Sequence, residues 1–257
     1  MRLAPRITTY WLTVFRRTWR GSAVSSFVSP FLYLAALGVG LGSIVDDSGT
    51  QALGGSSYLA YIAPGLLATT AMSTGIGEST YPVMSAFKWN RTYYSMAATP
   101  LQASDILLAH LIAVTLRLLI VCTVFTAVLT AFGALATWWG GLAAIAVSVL
   151  LGMAHATPMF ALSARLADPS AFSLVFRLGL MPMFLFSGAF FPISQLPAGV
   201  AWLAYLTPIW HGVDLARMLT LDTVGWLSAL GHVGYLLLWL LAGWHLALRM
   251  FARKLAP

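Results

Sequence analysis

The sequence predicts an all-helical membrane protein that crosses the bilayer six times, and three observations predict it. Of 257 residues, 60% are hydrophobic and only 8% are charged, whereas a soluble domain carries about 25% charged residues. The apolar residues fall into six runs long enough to span, at roughly 20 residues each. The basic residues collect between those runs in alternate connections. Together these features favour one membrane domain over residues 1–257.

The first 21 residues come before any span. Ile7, Trp11, Val14, Phe15 and Thr18 share one helical face, while Arg6, Thr9, Thr13, Arg16, Arg17 and Arg20 share the other. That pattern suits an amphipathic helix in the inner-leaflet interface, with Pro5 in its first turn. A cytoplasmic extension of the first span is the alternative. Arg16 and Arg17 interrupt any short apolar core, which argues against a signal peptide.

The first span is expected at about 24–45 and the second at about 58–86, interrupted only by Glu78. The third, about 106–132, contains Arg117. The fourth covers about 138–163, the fifth about 171–191 with Arg177 near its start, and the sixth about 225–248. Arg2, Arg6, Arg16, Arg17 and Arg20 precede the first span. Lys88 and Arg91 lie between the second and third, Arg165 between the fourth and fifth, and Arg249, Arg253 and Lys254 at the end. With six spans all of these fall on one side. The opposite connections hold Asp46, Asp47, Asp214 and Asp222, with Arg217 as their cation. The positive-inside rule therefore places both termini of this multi-pass protein in the cytoplasm. Trp138, Trp139, Trp202, Trp210 and Trp226 mark the outer ends, and Trp11, Trp19, Trp89, Tyr93 and Tyr94 the inner ends, as interfacial aromatic belts do.

Two segments do not fit a simple bundle. Residues 190–212, FFPISQLPAGVAWLAYLTPIWHG, are apolar but broken at Pro192, Pro197 and Pro208. Irregular backbone at membrane depth must be covered by protein or line a cavity, so short helices re-entering from outside are expected, with a plain external cap as the alternative. Phe190 and Phe191 open that segment and join the three prolines as candidate outer-gate residues. Residues 81–104, YPVMSAFKWNRTYYSMAATPLQAS, mix aromatic residues with Lys88 and Arg91. They read either as a short helix offered to a partner or as an ordinary basic loop.

Three ionisable residues are expected at similar depth. At about 1.5 Å per residue, Arg117 sits roughly 18 Å into the third span, Glu78 roughly 13 Å from the inner end of the second, and His155 roughly 15 Å from that of the fourth. A charge there is costly and should face the protein interior. A Glu78–Arg117 pair with His155 in hydrogen-bonding reach is the expectation. Arg117 on backbone carbonyls or on another subunit is the alternative.

Several function classes find no support. There is no GxxxxGK[ST] to cradle nucleotide phosphates, and no HExxH or GxSxG. Gly38, Gly40 and Gly42 fall inside a span, so they suit a close helix contact rather than a dinucleotide fingerprint. Cys122 is the single cysteine, and the histidines are scattered at 110, 155, 211, 232 and 245, which supports neither a metal site nor catalysis. The net charge of +7 is explained by residues flanking apolar runs, so no nucleic-acid partner is expected. A self-standing channel would need a polar-lined span, and the spans hold few polar residues.

Three stretches carry a family resemblance: YLAYIAPGLLATT (58–70), RTYYSMAATPLQASDILLAHL (91–111) and FSGAFFPISQLPAGVAWLAYLTPIWHGVDLAR (186–217). In this order they resemble the permease subunits of ABC-2 type exporters, particularly the nodulation-factor (lipooligosaccharide) and daunorubicin-resistance branches. The resemblance implies a dimer of permeases, identical or paralogous, that exports an amphipathic lipid-linked glycan or a hydrophobic drug. It implies a separate P-loop ATPase that holds the ATP and Mg, with no cofactor in this chain. It also implies that 86–98 is a coupling helix, for which Phe87, Lys88, Arg91, Tyr93 and Tyr94 are the candidate docking residues. The chain departs from the drug-exporter branch at Lys88–Arg91, where that branch carries a Glu-Arg-rich stretch.

Overall fold

The computed structural model describes residues 31–47, Leu53, residues 55–256 and the single positions Tyr10, Trp11, Thr13, Arg16 and Val28. The expected interfacial helix over 1–21 and the start of the first span otherwise lie outside the described residues. All regular structure among the described residues is helical.

Four helices are long and apolar enough to cross a membrane, and they correspond to the second, third, fourth and sixth expected spans. α2 (Tyr58–Ser79) begins under two caps: Ser57 Oγ accepts the Ala60 N–H, and the Asp46 carboxylate accepts the Tyr58 N–H at 2.8 Å. Side-chain oxygens at this place satisfy donors that the first turn leaves unpaired. The helix then breaks at Thr80 and resumes as α3 (Tyr81–Lys88). Pro82 causes the break, because it offers no N–H to the carbonyl four residues back and its ring crowds that turn. Ser163 supplies a donor at the break, its hydroxyl reaching the Ser79 carbonyl at 2.7 Å.

α4 (Thr92–Ala97) follows through Arg91, whose φ of 50° is left-handed. α5 (Ala103–Ala131) opens with a capping box in which the Asp105 carboxylate accepts the Gln102 N–H. α6 (Trp138–Arg165) is capped by Thr137 and forms the centre of the molecule, packing against α2, α5 and two later helices, α9 (Pro208–Thr220) and α10 (Trp226–Leu255). Glycines set how closely these helices approach. A Cβ on Gly75 of α2 would stand 2.3 Å from the Gly152 carbonyl oxygen of α6. A Cβ on Gly243 of α10 would meet Thr157 and Pro158 of α6. Without a hydrophobic effect between helices in lipid, such close backbone packing is what holds them. The outward side of α10 is leucine: Leu227, Leu230, Leu238 and Leu241 are all exposed, as a lipid-facing stripe is.

The first and fifth expected spans differ from simple α-helices. Residues 31–47 are helical but π-wound over Leu34–Leu41 before Gly42–Asp47 continues as α-helix; this element is α1. α7 (Ser170–Leu185) is a 16-residue apolar helix with a π-wound centre, Val175–Leu180. At about 1.5 Å per residue it is roughly 24 Å long, shorter than the ~30 Å hydrocarbon core. The run expected over 171–191 stops early because Ser187 and Gly188 turn the chain, with Gly188 at φ 77°. At its start, the Asp168 carboxylate accepts the Ser170 N–H at 2.8 Å, which holds that carboxyl below its ordinary range.

Candidate functional site

The intramembrane cluster rests on α2 and α5. Arg117 Nε stands 3.0 Å from Glu78 Oε1, and the two side chains are 26% and 27% exposed. Each charge thus has its partner inside the protein, where an intramembrane charge belongs. His155 does not join them. Its Nδ1 is hydrogen-bonded to the Leu151 carbonyl of its own helix at 2.9 Å, and its Nε2 is buried without a hydrogen-bond partner. The expected three-residue cluster is therefore a two-residue pair. Depth from the helix ends placed the three at one level, but only the rotation of α6 decides which way His155 faces.

The connection between α2 and α5 divides the five expected docking residues. Phe87 and Tyr93 are buried, at 4% and 0% exposure, so neither forms part of an exposed docking surface in this chain. Tyr93 packs on Phe87 and Phe251, and its hydroxyl is hydrogen-bonded to His110 Nδ1, whose ring stacks on Trp11. Adjacent residues of a helix point about 100° apart, so burying Tyr93 turns Tyr94 outward. Tyr94, Arg91 and Lys88 are exposed, and so is Trp89, which the sequence reading marked only as interfacial. Lys88 Nζ donates to the Ala167 carbonyl at 2.8 Å, and Lys254 Nζ donates to the Ala164 carbonyl while lying over the Phe87 ring. These side chains border a cavity of about 560 Å³ between α3, α4, the end of α6 and the end of α10. Residues 86–98 thus form the end of one helix and a second short one, α3 and α4, rather than a single coupling helix.

In the segment after α7, each proline of the expected gate begins an element. Pro192 precedes the 3₁₀ turn Ile193–Gln195, Pro197 caps α8 (Ala198–Tyr205), and Pro208 is the first residue of α9. A fixed φ and a missing N–H make those positions tolerant of proline. Phe190 packs on Phe184 of α7, and Phe191 is half-buried. The unit does not end at 212, because α9 runs on to Thr220.

Sequence reasoning missed the polar residues that tie this region together. Arg217 lies 3.9 Å over the Tyr61 ring and donates to the Gly188 carbonyl at 2.7 Å and the Tyr61 carbonyl at 3.3 Å. It clips α9 to α2 and to the turn after α7. Beside it, His232 Nε2 is 3.3 Å from Asp214 Oδ2, His232 Nδ1 is 2.8 Å from His211 Nδ1, and His211 Nε2 donates to the Tyr205 carbonyl at 3.1 Å. His211 and Asp214 are three apart on α9, a spacing that puts them on one face. That was the available signal; His232, from α10, had none.

The ABC-2 type transporter family matches residues 6–221. The chain belongs to that family. It is 31% identical to Nodulation protein J of Sinorhizobium fredii over 252 residues, covering 95% of this chain and 94% of that one. It is 29% identical to Nodulation protein J of Rhizobium leguminosarum bv. trifolii, with the same coverage. For that of Rhizobium meliloti the identity is 28%, over 96% of this chain and 94% of the relative. The ABC-2 permease is accordingly a membrane transport subunit, which agrees with its apolar helices.

Proposed function

We propose that this permease is the transmembrane half of an ATP-driven exporter that carries an amphipathic, lipid-linked or acylated oligosaccharide out of the cytoplasm or inner leaflet. The observation that carries this reading is its end-to-end similarity to Nodulation protein J chains, 28–31% identical over nearly the full length of both partners. In this reading α1 and α7 complete six spans, both termini are cytoplasmic, and residues 190–220 re-enter from outside. Two permeases pair, and a separate P-loop ATPase docks on the cytoplasmic face of each through Trp89, Arg91 and Tyr94. The cavity that Lys88 and Lys254 border is supported as the docking seat by its position where α3, α4, α6 and α10 end together.

The test is co-purification from the native membrane followed by reconstitution. The tagged permease should recover a P-loop ATPase, and vesicles holding both should move a fluorescent acylated chito-oligosaccharide only with ATP. Movement of a hydrophobic cationic drug instead would assign the efflux branch. Recovery of the permease alone, with ATP-independent flux, would reject the exporter.

A further inference from the structure

The π-wound centre of α7 carries a cation that has no counter-charge among the described residues. Arg177 is exposed, and among the described residues nothing pairs or hydrogen-bonds with its guanidinium. This sets it apart from Arg117, held by Glu78, and from Arg217, held by two carbonyls and a ring. Seven residues from the start of α7, it stands roughly 10 Å along the helix by the usual rise. An arginine at membrane depth carries a cost that is relieved only by a partner, water or an interface.

The surroundings say what partner would suit it. Arg177 lines a cleft of about 470 Å³ whose other walls include Tyr33 from α1, Ser73 from α2, and Phe176, Leu180 and Phe184 from α7. That volume lies within the roughly 300–1,000 Å³ of small-molecule sites. One guanidinium and two hydroxyl-bearing side chains, Ser73 and Tyr33, stand among aromatic and aliphatic walls. The chemistry matches an amphiphile: a planar donor fork for a phosphate or sulfate, and apolar walls for the adjoining chain. Three elements converge on the cleft, whereas a boundary lipid lies along the outside of one or two. The α7 wall, Phe176, Arg177 and Leu180, falls in the π-wound stretch Val175–Leu180, a winding that recurs at functional sites.

We infer that this cleft binds the transported amphiphile, and that Arg177 is a specificity-determining residue that receives its anionic group. The inference rests on the exporter reading for the word transported, but the binding site is testable without the ATPase. The full chain is placed in phosphatidylcholine nanodiscs. It is then photolabelled with two diazirine amphiphiles of the same acyl chain, a lysophosphatidic acid analogue and an uncharged monoacylglycerol analogue. The anionic probe should label Phe176, Leu180 or Met181 about tenfold more than the neutral one, the size of one charge-assisted hydrogen-bonded contact. Arg177→Gln should remove that preference and Arg177→Lys should keep part of it. Leu180→Trp, which fills the cleft, should reduce labelling by both probes.

Equal labelling of the wild type by the two probes would overturn the proposal, as would a preference that survives Arg177→Gln. So would loss of labelling when phosphatidylglycerol is added in excess, because the cleft would then hold ordinary bilayer lipid. If the preference fails while an ATPase is recovered with the permease, the exporter stands and this site does not. If no ATPase is recovered but the preference holds, the site stands and the exporter falls.

Discussion

At the scale of residues, the pair between Glu78 and Arg117 decides how two charges survive in the membrane. Glu78→Arg and Arg117→Glu should each lower the yield of folded protein, at a cost of about 2.5–3.5 kcal/mol for one unpaired charge. The double exchange should restore much of it, measured as monodisperse protein after detergent extraction. A double variant no better than either single one would mean that the 3.0 Å contact contributes nothing. Gly75 gives a second expectation. Because its missing Cβ leaves room for the Gly152 backbone, Gly75→Val should separate α2 from α6 and cost at least the 1–3 kcal/mol or so typical of overpacking. A matched change at Gly77, where a Cβ meets nothing, should leave the thermal midpoint close to wild type. The Glu78–Arg117 pairing was legible because an isolated charge in each of two neighbouring spans has few other ways to be satisfied. The place of His155 was not legible, since a backbone carbonyl four residues back satisfies one ring nitrogen at any rotation of the helix.

At the scale of elements, the pair α3 and α4 separates support from contact. Tyr93 supports: it is fully buried and joined to Phe87, Phe251 and His110. Tyr93→Ala should therefore destabilise the permease by about 3 kcal/mol or more, as removal of a large buried aromatic does. Tyr94 and Trp89 are exposed, at 41% and 54%. Changing both to Ala should leave the thermal midpoint unchanged and weaken ATPase binding by about 2 kcal/mol or more, if they are the interface anchors. Binding measured by co-purification with unaltered affinity would show that the ATPase docks elsewhere. The sequence placed all five aromatic and basic residues in one connection, whereas Phe87 and Lys88 close the helix before it and Tyr93 and Tyr94 belong to the next. It did not say that Pro82 ends one helix, that Arg91 takes a left-handed conformation, or that successive positions of α4 turn Tyr93 inward and Tyr94 outward.

At the scale of the whole molecule, topology can be read by cysteine labelling, because Cys122 is buried and gives little background. Ser194→Cys and Gly199→Cys, both exposed in the segment expected outside, should react with an impermeant maleimide added outside intact cells. Asn90→Cys, exposed between α3 and α4, should react only after the membrane is opened. The opposite pattern would invert the protein and move the docking face to the outside. The same labelling at Ile193 tests the segment after α7 as one body. Arg217 clips α9 to α2 and Gly188, so Arg217→Ala should raise reactivity at Ile193→Cys, which is buried in the intact structure.

The sequence by itself determined the class of this protein and four of its expected spanning helices. Those properties depend on local sums, namely the length of an apolar run and the charges beside it, and they need no knowledge of neighbours. It also marked where the chain departs from simple spans, because proline and glycine act on the backbone within a few residues. Tertiary structure alone decided which face of each helix turns inward. It buried Tyr93 and exposed Tyr94, joined His211 to His232 across 21 residues, and left Arg177 open beside an apolar cleft. The reason is rotation about the helix axis: in a chain that is apolar almost all round, periodicity cannot choose a face, and the choice falls to glycine contacts and buried hydrogen bonds between helices far apart in sequence.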